Sequence, residues 1–151
     1  MIFASASFCS ANSQADRLGD EGVDLIKKGH VDDGIALLKS AVEADPENPS
    51  WHMNYGSILF EVGRKMVQQG QKEASRPLLA DSENELFKAT RFFKRNDALQ
   101  MAQCYFLIGD LYAYSHNQKD IAKTYYQKSL EYDPRHEGAL NAMKDLTIPK
   151  E

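Results

Sequence analysis

Four histidines and two cysteines are the residues of this 151-residue chain best suited to hold a metal or attack a substrate, and their spacing supports neither. His30, His52, His116 and His136 stand alone, without the His-x-x-x-His or His-Glu-x-x-His spacing that brings two imidazoles onto one helix face. Cys9 and Cys104 lie 95 residues apart with no Cys-x-x-Cys, and no disulfide is expected between them. The stretch GRKMVQQG at 63–70 lacks the Gly-Lys-Ser/Thr ending that cradles phosphates. Ser and Asp are abundant but show no triad-like spacing. Asp81, Glu83 and Glu85 read as a solvated face. No catalytic, cofactor-binding or metal-ligating residue is assigned, no cofactor is expected, and the chain is not expected to be an enzyme.

Composition narrows the partners. Apolar residues make up 42% and charged residues 26%, the balance of a globular domain with a core. A net charge of −4 and scattered Lys and Arg argue against nucleic acid. No apolar run reaches the roughly 18 residues that a bilayer-spanning helix needs. The first 14 residues, MIFASASFCSANSQ, carry no charge. They read as a disordered tail or as the remnant of a secretory signal, because small residues mark cleavage sites. A cytoplasmic location is the expectation, with export to the periplasm or outside as the alternative.

The elements that must position any site are helical. Tyr55, Ile58, Leu59, Val62 and Met66 form one stripe at helical spacing, and Leu79, Leu86 and Phe93 recur every seven residues. Tyr105, Ile108, Leu111 and Tyr112 form another, and no window alternates with period two. Breaks fall at Gly29-His30, Asp45-Pro46, Gln69-Gly70-Gln71, Lys94–Asp97, Ser115–Asn117 and Asp133-Pro134. Seven helices are expected, near 15–28, 32–44, 50–69, 76–93, 97–115, 118–132 and 135–146, with Arg76-Pro77 opening the fourth.

The helices repeat. In a 34-residue frame starting at Ala15, Gly22 is position 8, Gly34 is 20, Leu38 is 24, Ala41 is 27 and Pro46 is 32. Tyr55-Gly56 and Ile108-Gly109 return at positions 7 and 8 of two further units. The third unit continues with Ala122 at 20, Tyr126 at 24, Ser129 at 27 and Pro134 at 32, allowing one extra loop residue. This pattern resembles the tetratricopeptide repeat family, whose helix–turn–helix unit has small residues at 8, 20 and 27, large apolar ones at 4, 7, 11 and 24, and proline at 32. The middle unit departs: Gly56 to Gly109 spans 53 residues, Leu86 and Ala89 stand at 24 and 27, and Lys94 stands where proline would. The resemblance implies an all-α solenoid of antiparallel helix pairs in a right-handed superhelix. Its repeats would span about 15–48, 49–96 and 97–134, followed by a solubilising cap helix at 135–146 and a tail at 147–151.

The resemblance also implies a function. Such repeats hold a protein segment in a groove lined by the first helix of each pair, at positions 2, 5, 9, 12 and 13. Here these positions are Asp16, Gly19, Val23, Ile26 and Lys27, then Ser50, Met53, Ser57, Phe60 and Glu61, then Gln103, Phe106, Asp110, Ala113 and Tyr114. With Asn54, the groove candidates are Met53, Ser57, Phe60, Gln103, Phe106, Asp110 and Tyr114. Met53, Phe60, Phe106 and Tyr114 are expected as exposed apolar anchors. Chaperone-binding members clamp a C-terminal carboxylate with basic residues and asparagines. The matching positions read Gly19, Val23, Asn54, Gln103 and Leu107, and only Asn54 agrees, so that clamp is not expected. The expectation is a non-catalytic interaction module or adaptor for a protein or peptide partner. The alternative is a self-associating structural protein of an exported or envelope complex.

Overall fold

Apolar stripes at helical spacing require helices that bury one face each, and the computed structural model contains them. It describes residues 5–115 and 117–147, with side chains from residue 14 to residue 146. Residues 1–4 and 148–151, where tails were expected, and His116 lie outside the described residues. Seven helices run in order: α1 (Ser5–Lys27), α2 (Val31–Ala44), α3 (Pro49–Gln68), α4 (Lys72–Phe92), α5 (Ala98–Tyr114), α6 (Lys119–Tyr132) and α7 (Glu137–Thr147). No strand occurs among the described residues. The helices pair as α1·α2, α3·α4 and α5·α6, and successive pairs touch through α2·α3, α4·α5 and α6·α7. The expected all-α solenoid of antiparallel pairs is what the chain forms.

Each hairpin bends at one left-handed residue. Gly29 (φ 91°) and Gly70 (φ 82°) follow α1 and α3, and Asn117 (φ 52°) follows α5. At the first two corners the next amide reaches back to the helix, His30 N–H to Leu25 O at 2.9 Å and Gln71 N–H to Met66 O at 2.8 Å. This pairs carbonyls that the helix end would leave open. The turns between repeats also share one geometry. Asn48 N–H donates to Asp45 O, His136 N–H to Asp133 O and Asp97 N–H to Lys94 O, at 3.1, 3.0 and 2.9 Å. Lys94 thus takes the place of Asp45 and Asp133, and Arg95, not Lys94 as expected, stands where the other two turns carry proline.

The fourth helix corrects one expectation. It begins at Lys72, and Pro77 lies inside it rather than at its start. Gly70 completes its corner early, and Ser75 Oγ holds Lys72 O at 2.7 Å, so the helix is under way before the proline. Pro77 and Glu73 are both exposed, and water can satisfy the carbonyl that the missing N–H leaves free. α1 likewise starts at Ser5, ahead of the expected residue 15.

Small residues allow each pair to close. A Cβ at Gly34 would stand 2.6 Å from Gly22 O, and one at Gly109 would stand 2.5 Å from the Tyr126 ring. In the middle pair Ser82 is the buried small residue, four positions before Leu86, and its hydroxyl donates to Gly56 O at 2.6 Å. Ser129 does the same to Ala102 O at 2.8 Å in the third pair. The core is divided along the stack. One cluster joins Ala15, Leu38, Ala41, Trp51, Tyr55 and Leu59, and a second joins Phe60, Leu79, Leu86, Leu107, Ile108 and Leu111. A third joins Ala122, Tyr126 and Ala139.

Two polar assemblies bind neighbouring elements. His52, expected to do no more than open a helix, is buried, with Nδ1 2.5 Å from Glu85 Oε2 and Nε2 2.8 Å from Pro46 O. Glu85 Oε1 takes Lys88 Nζ at 2.7 Å, and Glu83 Oε1 accepts from Tyr112 Oη at 2.6 Å. The carboxylates of 83 and 85 are therefore not a solvated face. Glu85 lies three residues from the buried Ser82 and so turns toward α3. Elsewhere, Tyr132, Tyr105, Tyr125 and Tyr112 stack in series at centroid spacings of 5.6, 6.3 and 5.4 Å. Lys128 Nζ lies 5.5 Å from the Tyr105 ring centre and 5.3 Å from that of Tyr125.

Candidate binding site on α3 and α5

The first helices of the pairs carry the expected groove residues, and the structure sorts these into three groups. Met53, Asn54 and Ser57 are half-buried on α3, and the Ser57 hydroxyl turns back to Asn54 O at 3.1 Å. Gln103 and Phe106 are committed to α7 and the turn before it. Gln103 Oε1 lies 3.0 Å from His136 Nε2. Phe106 packs on His136 with centroids 4.9 Å apart and covers Gly138, where a Cβ would stand 2.8 Å from the ring. Phe60, Asp110 and Tyr114 form the third group, lining one pocket of ≈ 430 Å³ with Glu61, Arg64 and Ala113.

The apolar anchors need correction. Phe60 is only 2% exposed and belongs to the core cluster with Leu79 and Ile108, because α4 and α5 close over it. Phe106 is half-buried under α7, which sits where the next repeat's first helix would sit. Met53 is half-buried, and Tyr114 alone of the four stays open, at 40%.

The pocket's charges are unevenly paired. Arg64 donates to Glu61 Oε2 at 2.7 Å, one turn along α3. Asp110 Oδ1 accepts from Tyr126 Oη at 2.7 Å, and Oδ2 accepts from none of the described residues. Burial pushes the Asp110 pKa up, against the opposing pull of the Tyr126 hydroxyl and of Arg64. Burial and the bond to Asp110 push the Tyr126 phenol far up in turn. His136 is held at both ring nitrogens: Nδ1 accepts from Ala139 N–H at 3.2 Å, and Nε2 lies 3.0 Å from Gln103 Oε1. Arg64 was missed from the sequence, although its spacing of four from Phe60 and three from Glu61 puts it on the same face.

Cys104 is buried, and burial pushes its thiol up to about 12, so it is not a nucleophile near neutral pH. No group of three His, Cys, Asp or Glu residues could hold a metal ion among the described residues. No described helix is long and apolar enough to cross a membrane. At the positions of the carboxylate clamp, Gly19 lies under Trp51, whose ring would be 2.4 Å from a Cβ there, and Leu107 is in the core. Trp51 itself packs between repeats, with Nε1 donating to Asp16 Oδ1 at 3.1 Å.

Residues 102–136 match the tetratricopeptide repeat family. No curated protein sequence matches the chain. Solved structures do. The first TPR of Spaghetti (RPAP3), bound to the HSP90 peptide SRMEEVD, is 20% identical with a TM-score of 0.69, covering 90% of this chain and 92% of its own. The first TPR domain of human RPAP3 gives 20% and 0.70, covering 90% and 91%. The Arabidopsis OM64 TPR domain gives 14% and 0.72, covering 91% and 97%. The chain has the tetratricopeptide-repeat fold: three helix pairs and a seventh helix on the last pair.

Proposed function

We propose that the chain is a non-catalytic adaptor that holds a segment of a partner protein along the face built by α1, α3 and α5. The pocket between α3 and α5 is its principal subsite, with Met53, Asn54 and Ser57 extending the contact surface on α3. The observation that carries this reading is Tyr114, a large ring left 40% exposed beside a half-buried carboxylate in a pocket of ≈ 430 Å³. Aromatic rings at the edge of a partly apolar pocket are what protein recognition uses as anchors. The Spaghetti domain of the same fold holds an HSP90 peptide, which supports peptide capture as a use of this architecture.

Affinity capture from cells with wild-type chain and with Tyr114→Ala tests the proposal. The variant, matched for thermal stability, is expected to recover its partner at a small fraction of the wild-type level. Equal recovery would reject the pocket as the contact. Phe106 is unsuitable for this test, because its loss would disturb α7.

A further inference from the structure

The pocket has a sign. Its two carboxylates, Glu61 and Asp110, face one guanidinium, Arg64, and that guanidinium is already bound to Glu61. Asp110 makes no ion pair among the described residues, and its only hydrogen bond uses Oδ1. The nearest titratable groups on each packed element are Glu61 and Arg64 on α3, Tyr114 on α5, Tyr126 on α6, and His136 before α7. Tyr126 is a neutral donor, and His136 is held by its bonds to Gln103 and Ala139.

We propose that this pocket binds a cationic side chain of the partner segment, an arginine or a lysine, with Asp110 Oδ2 as its counter-ion. This rests on the groove reading above. The walls suit the rest of such a side chain. Ala113 offers apolar surface to its methylenes above the buried Phe60, and the open ring of Tyr114 offers a face to its charge. An acidic residue or chain terminus in the same place would meet Asp110 and would have to take Arg64 from Glu61. The preference is thus opposite in sign to that of a carboxylate clamp. The burial that disfavours ionised Asp110 points the same way, since a half-buried charge kept at a cost is a mark of a site whose partner arrives from outside.

A phage-displayed library of 12-residue peptides, panned against the immobilised full chain at neutral pH, tests the inference. Selected peptides are then synthesised and titrated against wild type and Asp110→Asn. The enriched sequences are expected to share an Arg or Lys at one position. Affinity should fall about ten-fold or more with Asp110→Asn, and equally when the peptide arginine is replaced by uncharged citrulline. The citrulline peptide should bind wild type and variant alike. Because asparagine can still accept from Tyr126, the variant should melt no lower than wild type, which separates lost recognition from lost folding. Enrichment of acidic peptides, or indifference to Asp110→Asn, would overturn the cation preference and leave groove binding intact. Failure of the wild-type chain to enrich any peptide would overturn both.

Discussion

Asp110 is the residue at which stability and recognition pull apart. Its folded pKa lies above that of the unfolded chain, so its contribution to stability is full only below the unfolded value. That contribution is lost as pH rises through the raised folded value, and at neutral pH the ionised form weighs against folding. Asp110→Asn is therefore expected to raise the melting temperature at pH 7 and to have little effect near pH 3. Calorimetry at both pH values checks this, and a lower melting point at pH 7 would contradict the reasoning. The glycines make a second residue-scale comparison. Gly34→Ala would put a methyl 2.6 Å from Gly22 O, costing about 1–3 kcal/mol in urea unfolding, because backbone cannot step aside as a side chain can. Gly70→Ala meets nothing within 4 Å and should cost only the left-handed backbone strain, about 1 kcal/mol. Gly34 was legible in the sequence as a position-20 residue. The absence of a free partner for Asp110 was not, because it depends on where α6 and the turn before α7 place Tyr126 and His136.

At the scale of elements, the His52–Glu85 pair decides how the second hairpin sits on the first. It ties the Asp45-Pro46 turn through Pro46 O to α3, and α3 to α4. Glu85→Ala leaves His52 buried with a single partner and should cost about 3 kcal/mol. Lys88→Ala removes a half-exposed cation from the same carboxylate, and exposed ion pairs contribute about 0–1 kcal/mol. Urea midpoints of the two variants should differ accordingly; equal losses would show that the pair is not what joins the hairpins. Helix order and both Asp-Pro stops could be read from periodicity and proline chemistry. Glu85 could not: a carboxylate four residues after Asp81 and two after Glu83 looks solvated until the partner helix supplies an imidazole. Pro77 misled for a related reason. Proline favours a helix's first turn, but the exposed side of a helix already begun at Lys72 tolerates it as well.

The whole molecule is a line of units, each touching only its neighbours, so its stability is close to a sum of pair and interface contributions. α7 closes that line by covering Phe106 and joining Ala139 to the third core cluster. Ending the chain after Asp133 should expose that ring and lower the stability of α5 and α6 more than that of α1 and α2. Hydrogen exchange of the truncated chain resolves the difference, and a uniform loss across all helices would mean that the units unfold together. Residues 102–136 were the most legible part of the chain, and it is there that the family match falls. The elongated middle pair was less legible because Ser82 replaces Gly or Ala at its close contact and bonds to Gly56 O.

The single tryptophan sits at the seam of the first two pairs, and the tyrosine stack belongs wholly to α5 and α6. The indole thus marks one end of the line and the stacked phenols the other, while Tyr55 packs with Trp51 in the first core cluster. Indole emission of Trp51, buried against Gly19 and bonded to Asp16, follows undocking of α1 from α3. The near-ultraviolet dichroism of the stacked phenols follows melting of the last hairpin. One unlabelled sample can report which end opens first, and whether a ligand bound between α3 and α5 makes both signals disappear at one temperature.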